Sequence, residues 1–248
     1  MDSEDLASQL NARRRIIAVI LLRKRLGTKK WIQFLFKAII LYRILHYIFK
    51  FDGWHVLNMY ENRTYKEAIV RKVNDLNPRV AVEIGCGLGE IISKIDARVR
   101  IGIDIDENAL RAARLLNWRT DTTFLGGSIN AVRELPYKEI DSLIMINWLH
   151  EVPEEQIVGD MNRILQEKRI SYVVADEMPK DRIQYRYHHT FRNSLRDWFV
   201  EIEEVEDPEN TRRIVILKRK ETNCHKAIEG KDSDETSQWR TEKELTLP

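Results

Sequence analysis

The spacing of hydrophobic residues predicts alternating strands and helices over most of the chain. Short, nearly continuous apolar runs have the length of buried strands, and longer segments with apolar residues every three or four positions have the period of helices. The predicted strands cover residues 80–84, 99–105, 122–125, 140–146, 170–175, 200–205 and 212–218. The predicted helices cover residues 60–74, 90–97, 107–117, 154–166 and 191–198.

Strands that alternate with helices indicate an open, mostly parallel sheet with helices on both faces. The last two strands differ, because only a short connector separates them and it cannot hold a crossover helix. They should therefore form an antiparallel hairpin at the edge of the sheet. The predicted fold class is α/β: a Rossmann-like, seven-stranded, mostly parallel sheet with an antiparallel terminal hairpin, plus a helical extension at the N-terminus.

The N-terminal extension is basic and amphipathic. Between Arg13 and Lys50 the chain has eleven Lys or Arg and no Asp or Glu, which leaves 30 of its 41 basic residues beside all 39 acidic ones. Residues 31–50 have a helical pattern with apolar side chains on more than one face, so this helix needs a second partner besides the core. Three partners stay open for residues 13–50: the protein's own body, a homodimer, and an anionic membrane surface.

Composition divides the chain into three parts. We expect a basic helical arm at 1–58, a folded domain at 59–220 and a disordered tail at 221–248, where the sequence is polar and aperiodic. Two cysteines are too few for a disulfide scaffold or a multi-cysteine zinc site, so we expect a reducing compartment and no metal. No apolar run reaches the roughly 18 residues of a membrane span, and no signal cleavage is expected. Nucleic acid is not expected as a partner, because aliphatic residues dilute the basic ones.

A glycine-rich turn follows the first predicted strand. Gly85, Gly87 and Gly89 lie between that strand and the next helical segment, an arrangement typical of a nucleotide-binding unit. Asp104 ends the second strand about 20 residues later, where an acidic side chain can accept both hydroxyls of a ribose. Glu90 stands where the dinucleotide fingerprint has its third glycine, so we do not expect a pyrophosphate site.

The sequence Glu83-x-Gly85-x-Gly87-x-Gly89 resembles motif I of the class I S-adenosylmethionine-dependent methyltransferases, whose seven-stranded sheet also ends in an antiparallel pair. The resemblance covers residues 60–219. It implies S-adenosylmethionine as the cofactor. The three glycines would line its methionine and ribose portions, and Glu83 would reach its amino end or brace the loop.

The same resemblance implies where ribose and adenine bind. Asp104 would hold the ribose hydroxyls, and Ile105 would pack on the adenine. Ser128 and Ile129, after the third strand, stand where the family touches the adenine ring, although Ser128 replaces the acidic residue that is commoner there. The adenine contact is therefore expected to be mostly backbone and apolar.

The fourth strand ends in the run Asn147-Trp148-Leu149-His150-Glu151, which corresponds to motif IV of the family. In an open parallel sheet, ligands bind outside the carboxyl ends of the strands. We therefore expect Asn147 to contact the cofactor and Trp148 to contact the substrate. Methyl transfer to a hydroxyl also needs a base, and a histidine near neutral pKa suits that role.

Three histidine positions compete as the base. His150 stands beside Glu151, which would orient the imidazole or act as the base itself. His189 belongs to a loop after the fifth strand that should fold over the same pocket, and His55 belongs to the arm. Each of them is equally compatible with a hydrogen-bonded packing role. The residues expected to bind substrate are Trp148, Tyr187, His188 and His55.

A narrower resemblance concerns the substrate. Trp54-His55, the form of motif I, the Asn-Trp-Leu-His-Glu run and the Tyr-x-Tyr-His-His-x-Phe loop are similar to small methyltransferases encoded with surface-polysaccharide biosynthesis genes. This implies O-methylation of a glycan or small-molecule hydroxyl by a cytoplasmic enzyme, either free or peripheral on the inner membrane surface. The alternatives are an inactive methyltransferase-like binding module, and a methyltransferase of another small molecule or of a protein.

Overall fold

The computed structural model describes residues 23–24, 27–37, 41–53, 55, 59–177, 185–205 and 213–221 of the 248-residue chain. The predicted tail lies outside these ranges from residue 222 onward. Seven strands form one sheet in the order β3-β2-β1-β4-β5-β7-β6. The strands are β1 Val80–Ile84, β2 Val99–Asp104, β3 Thr122–Gly126, β4 Glu139–Met145, β5 Arg169–Glu177, β6 Phe199–Val205 and β7 Arg213–Arg219.

The pairing of the strands confirms the predicted fold class. Strands β1 to β5 pair in parallel, and β7 runs antiparallel to both β5 and β6. The strand order reverses between β1 and its neighbours β2 and β4, which opens a crevice at the carboxyl ends of these strands. That crevice is where most of the predicted cofactor residues converge.

Helices cover both faces of the sheet. Side chains of β1 alternate between the faces: Val82 and Ile84 join one buried cluster with Ile157 and Met161, while Ala81 joins the other. The second cluster includes the buried side of the helix that precedes β1. The helices are α1 Tyr42–Phe49, α2 Thr64–Asp75, α3 Glu107–Leu116, α4 Glu154–Glu167 and α5 Phe191–Ser194.

Two predicted helices are corrected by the structure. At 90–97 the chain forms turns and a short 3-10 helix, Ile92–Lys94, instead of an α-helix. The backbone hydrogen bonds of this 3-10 helix join residues three apart. Because the Ile92 N–H donates to the carboxylate of Glu83, regular α-helical hydrogen bonding does not develop there. The helix predicted at 191–198 ends at Ser194, because β6 begins at Phe199 and turns fill the interval.

The sequence analysis missed the connection between β3 and β4. A 3-10 helix, Ile129–Glu134, fills it, and the Ser128 hydroxyl accepts a hydrogen bond from the Asn130 N–H at its start. Ile129 and Val132 turn into the core from this segment. The helix predicted at 60–74 begins instead with a 3-10 turn, Tyr60–Asn62, before α2.

The arm packs on the body through a third cluster. Residues 27–37 are helical, and α1 follows them; residues 38–40 of the single helix predicted at 31–50 lie outside the described ranges. The inward side chains of these arm helices contact the glycine turn and α3. The cluster contains Phe34, Tyr42, Leu45, Phe51, Met59, Leu88, Ala109 and Ala112. One face of the arm therefore uses the protein's own body as its partner.

Candidate active site

A cavity of about 550 Å³ opens at the carboxyl ends of β1, β2 and β4. This volume lies within the range of about 300 to 1,000 Å³ typical of small-molecule sites. Nearly all of the predicted cofactor residues line it, although they come from four separate parts of the chain. Those residues are Glu83, Gly85, Gly87, Asp104, Ile105, Ser128, Ile129 and Asn147.

Gly89 was expected to line the cofactor and does not belong to the cavity wall. A Cβ on Gly89 would lie 2.5 Å from two atoms of the Phe124 ring, and φ is +72°. Glycine at this position therefore allows the turn to pack closely against β3, and the expected cofactor contact of Gly89 stays a prediction.

Gly85 and Gly87 form the floor of the cavity. Their φ angles of +70° and +50° lie in the left-handed region that favours glycine. A Cβ on Gly85 would lie 2.2 Å from Cδ1 of Trp148, and a Cβ on Gly87 would lie 2.6 Å from Cε1 of His55. The two glycines thus let an aromatic ring from each side approach the turn.

Glu83 braces the glycine turn from the end of β1. Its Oε2 accepts a hydrogen bond of 2.9 Å from the Ile92 N–H, and its side chain is almost fully buried. Burial raises the pKa of Glu83 to about 8, against the opposing effects of that hydrogen bond and of Lys66. Of the two roles expected for Glu83, this geometry fits bracing.

Asp104 ties the glycine turn to the end of β2. Its Oδ2 accepts a hydrogen bond of 2.7 Å from the Gly87 N–H, and its Oδ1 accepts one of 2.9 Å from the Asp106 N–H. Each carboxylate oxygen has two lone pairs, so these bonds leave Asp104 able to accept hydroxyl groups as well. Asp106, which also lines the cavity, caps α3 by accepting from the Asn108 and Ala109 N–H groups.

The side of the cavity assigned to adenine is apolar, with one carboxylate that was missed. Ile105 is 82% exposed beside the cavity, and Ile129 is buried in its wall. Asp160 of α4 also lines the cavity, and its Oδ1 accepts a hydrogen bond of 3.0 Å from Asn130. An acidic residue on the apolar stripe of an amphipathic helix is the sequence signal that would have found Asp160.

Asn147 is held in an unusual backbone conformation at the end of β4. Its φ is 75°, a region that asparagine tolerates better than most residues. Its N–H donates to Asp176 Oδ2 at 3.0 Å, and its Oδ1 accepts from the Tyr65 hydroxyl at 2.9 Å. Sequence reasoning missed both partners, although Asp176 follows the rule that found Asp104: a carboxylate near the carboxyl end of an apolar strand.

A buried ionic cluster lies beside the glycine turn. Glu90 accepts hydrogen bonds from Lys66 Nζ at 2.8 Å and from the Tyr42 hydroxyl at 2.6 Å. Burial opposes ionisation of Glu90, but Lys66 and Lys37 lower its pKa, so it carries its charge. Lys66 and Glu90 both line the cavity, and Tyr42 links them to the arm. This cluster explains why a glutamate occupies the position of the third fingerprint glycine.

The three candidate histidines occupy different places. His55 lines the cavity, and burial lowers its pKa, which keeps the imidazole neutral at neutral pH. His150 places Nε2 3.3 Å from Glu151 Oε1 and its ring 5.1 Å from that of Tyr185. Neither His150 nor Glu151 is part of the cavity wall.

His189 is buried next to the loop that carries His150. Its Nε2 lies 2.8 Å from the Val152 carbonyl oxygen and must donate to it, so the ring carries its proton on Nε2. Its Nδ1 has no hydrogen-bond partner within the described ranges, its ring stacks on Phe191, and burial lowers its pKa. His189 is therefore a neutral imidazole with an unused acceptor atom, one layer behind the cavity wall.

The loop after β5 meets the end of β4, as expected. The Tyr187 N–H donates to the His150 carbonyl oxygen at 3.2 Å. Tyr187 and His188 are half-buried and do not line the cavity, whereas Trp148 and His55 do. The structure thus places two of the four predicted substrate residues at the cavity.

Comparisons with known proteins support the fold described above. A family described as "Methyltransferase domain" matches residues 82–172, and none of the curated proteins matches the chain. The fold is similar to that of magnesium protoporphyrin IX methyltransferase from Synechocystis, solved with bound S-adenosylhomocysteine. The TM-score is 0.53 and the sequence identity is 16%, and the match covers 78% of this chain and 100% of that chain. The N-methyltransferase NodS from Bradyrhizobium japonicum, in complex with S-adenosylhomocysteine, has a TM-score of 0.55, 14% identity, and coverage of 73% and 98%.

Proposed function

We propose that this chain, which has the fold and a domain of the class I S-adenosylmethionine-dependent methyltransferases, transfers a methyl group to a hydroxyl of a glycan or another small molecule. The observation that supports it is the cavity in which the glycine turn, Asp104 and the Asn147-Trp148 edge meet. Transfer to a nitrogen or to a protein, and binding without catalysis, are the competing functions.

S-adenosylmethionine is the cofactor, and the residues at the cavity fit it. The cofactor carries a positively charged sulfonium and an ammonium group, and it supplies a methyl group that is open to in-line attack. Carboxylates of Asp52, Asp104, Asp106 and Asp160 surround the cavity, which favours a cationic ligand. The left-handed backbone at Gly85 and Gly87 lets that ligand approach the main chain closely.

We propose that the acceptor binds at the carboxyl end of β4. Alignment of an acceptor with the methyl group contributes the most to such a transfer, about 7 to 11 kcal/mol, and Asn147 is held rigidly enough to help define that geometry. A hydroxyl acceptor must also lose a proton. We propose the neutral imidazole of His189 and the adjacent His150 with Glu151 for this step, although they lie behind the cavity wall, because catalytic contacts often form only when substrate is bound. His55, which already lines the cavity, is the alternative.

The glycan assignment depends on the aromatic side chains near that edge. Trp148 lines the cavity and Tyr187 belongs to the loop bound to His150, and flat aromatic rings suit the faces of sugars. Methyl-transfer assays on nucleotide sugars and lipid-linked glycans test this assignment directly. Cofactor binding without methylation of any acceptor would favour the inactive binding module.

Cofactor binding can be measured separately by calorimetry with S-adenosylhomocysteine. Asp104→Ala should weaken binding by about 2 to 3 kcal/mol, because it removes a charged acceptor that also holds the Gly87 N–H. Asp121→Ala, which removes an exposed carboxylate before β3, is the control and should bind like the wild type. Unchanged binding by Asp104→Ala, or tight binding of a nicotinamide dinucleotide by the wild type, would contradict the assignment.

The base is tested by turnover. His150→Ala or His189→Ala should lower turnover by at least about 10²-fold and leave the affinity for S-adenosylhomocysteine nearly intact. His189→Gln keeps a donor for the Val152 carbonyl without a base, so it separates catalysis from packing. His225→Ala, in the C-terminal segment, is the matched control. Normal turnover of both the His150 and His189 variants would rule out these two bases and direct attention to His55.

A further inference from the structure

The arm exposes a second face, opposite the one that packs on the body. Inward side chains of the arm helices are buried, whereas large apolar side chains on the other side are half exposed or more. We call these exposed residues, with the basic ones between them, the outer face. Its apolar members are Ile32 at 57%, Phe36 at 59%, Ile44 at 50%, Tyr47 at 74% and Ile48 at 59% exposure. Its basic members are Lys29, Lys30, Arg43 and Lys50.

The end of α3 has the same character and lies next to the arm. Leu115 and Trp118 are 54% and 69% exposed, and Arg119 lies over the Trp118 ring. Arg111 lies 5.3 Å from the centre of the Phe49 ring and so joins α3 to α1. The arm and this end of α3 together hold seven of the ten large hydrophobic side chains that are exposed in the described ranges.

The positive charge of the outer face distinguishes between a second copy of the chain and an anionic membrane as its partner. A second copy of the chain in a two-fold dimer would bring the basic side chains of the outer face close to those of the other copy, because the same patch faces itself across the axis. The stretch from Arg13 to Lys50 contains no acidic residue that could compensate. An anionic lipid surface provides negative charge and an apolar interior together, and each basic residue near such a surface contributes.

None of the helices in the described ranges is long and apolar enough to cross a membrane. Amphipathic helices of the arm's kind lie in the plane of the headgroups, with aromatic and aliphatic side chains below and basic side chains level with the phosphates. Tyr47 and Trp118 have exposed rings suited to that boundary, and Tyr47 already has Lys50 over its ring at 4.1 Å.

We propose that the outer face, together with Leu115 and Trp118, binds the surface of a bilayer that contains anionic lipids. The proposal goes beyond the methyl-transfer function and holds whatever the acceptor is. The same arm contributes Asp52 and His55 to the cavity wall, so binding of the outer face places the cavity at the membrane surface.

The test is co-sedimentation of the full chain with phosphatidylcholine vesicles, with and without phosphatidylglycerol. The wild type should bind the anionic vesicles only. Its binding should weaken as salt rises, because exposed charges are screened over about 8 to 10 Å near physiological ionic strength.

Two pairs of variants identify the face. Ile44→Ser with Tyr47→Ser should weaken vesicle binding at least about tenfold, whereas Val200→Ser with Ile202→Ser, which removes equally exposed side chains from β6, should not. Arg43→Glu with Lys50→Glu should weaken it at least about tenfold, whereas Lys138→Glu with Arg169→Glu, at the amino ends of the interior strands β4 and β5, should not. Unchanged calorimetric binding of S-adenosylhomocysteine shows that each variant is folded.

Several results would overturn the proposal. Equal binding to neutral and anionic vesicles, or binding to neither, contradicts it. Sensitivity to the charge variants alone would show that the apolar side chains of the outer face do not enter the bilayer, which contradicts the role proposed for them. A dimer, detected by light scattering without vesicles and dissociated by Ile44→Ser with Tyr47→Ser, assigns the outer face to a second copy.

Discussion

Two acidic side chains from neighbouring strands hold the glycine turn, and they differ in their surroundings. Asp104 is engaged by two backbone N–H groups at the cavity. Glu83 is more deeply buried, accepts one N–H, and has its pKa raised to about 8. Burial favours the protonated form of a carboxylate, and at Glu83 it outweighs the opposing effects of the Ile92 N–H and of Lys66. The turn is therefore fixed by the Glu83 carboxyl group, whose protonated form is favoured near neutral pH, and by the side chain of Asp104, which lines the cavity.

The raised pKa of Glu83 predicts a pH dependence of stability. The carboxyl group of Glu83 holds its proton more tightly in the folded state than in the unfolded state. The wild type should therefore lose stability relative to Glu83→Gln as pH rises from about 4.5 to about 8. Above about pH 8 the difference in stability should stay constant. The total difference should be on the order of a few kcal/mol. Denaturant unfolding of both proteins from pH 5 to pH 9 measures it.

Glu134→Gln is the control, since Glu134 is exposed and its replacement should give a difference that is nearly flat above pH 5. A flat difference for Glu83→Gln over the same range would mean that Glu83 is ionised in the folded protein at neutral pH.

The site residues that the sequence predicted share one property: each lies in or next to a local pattern. Gly85 and Gly87 are recognisable from the turn itself, and Asp104 and Asn147 from their place at the ends of apolar strands. Lys66 carries no such pattern. It looks like an ordinary polar position of α2, and only the tertiary fold brings it against Glu90.

At the scale of elements, α1 is joined to the body by a polar contact as well as by apolar packing. The Tyr42 hydroxyl donates to Glu90, which belongs to the segment just after the glycine turn, and burial with the nearby Glu90 charge raises the pKa of Tyr42. Leu45 packs in the same cluster as Leu88. Movement of α1 would therefore disturb the turn that forms the cavity floor.

Removal of the hydrogen bond between Tyr42 and Glu90 tests whether it helps to hold α1 on the body. Tyr42→Phe should lower the free energy of unfolding by about 1.5 to 3 kcal/mol, the usual contribution of a hydrogen bond to a charged group, and should speed proteolysis within the arm. Tyr47→Phe removes a hydroxyl from an exposed ring of the same helix and should change neither. Equal stability of the two variants would mean that α1 is held by its apolar contacts alone.

Strands were predicted more closely than helices, for a physical reason. Each of the seven strands lies within two residues of its predicted bounds, because buried strands are nearly continuous apolar runs with polar residues at both ends. The segment at 90–97 has helical spacing, with Ile91, Ile92 and Ile95 buried, but the side chain of Glu83 takes the Ile92 N–H. A long-range side-chain contact of that kind is invisible in the local pattern.

At the scale of the whole molecule, the arm has two faces of different character. Its inner face packs on Leu88, Ala109 and Ala112, and Asp52 and His55 extend that face into the cavity. Its outer face is apolar and basic. The charge asymmetry of the sequence indicated that the arm needs a second partner, but the pattern alone could not divide its apolar residues between the two faces. The contacts with α3 make that division.

Deletion of residues 1–30 separates charge from packing in the arm. It removes eight of the eleven basic residues between Arg13 and Lys50 and leaves the buried cluster from Phe34 onward. Binding to anionic vesicles should weaken at least about tenfold, while the unfolding midpoint stays close to that of the wild type.

Deletion of residues 1–50 should also lower the midpoint, because each buried side chain lost, such as Tyr42 or Leu45, contributes about 1.5 to 3 kcal/mol. Deletion of residues 222–248, which hold six acidic and four basic residues, is the control and should not weaken vesicle binding. Undiminished binding after removal of residues 1–30 would show that those eight charges do not contribute to it.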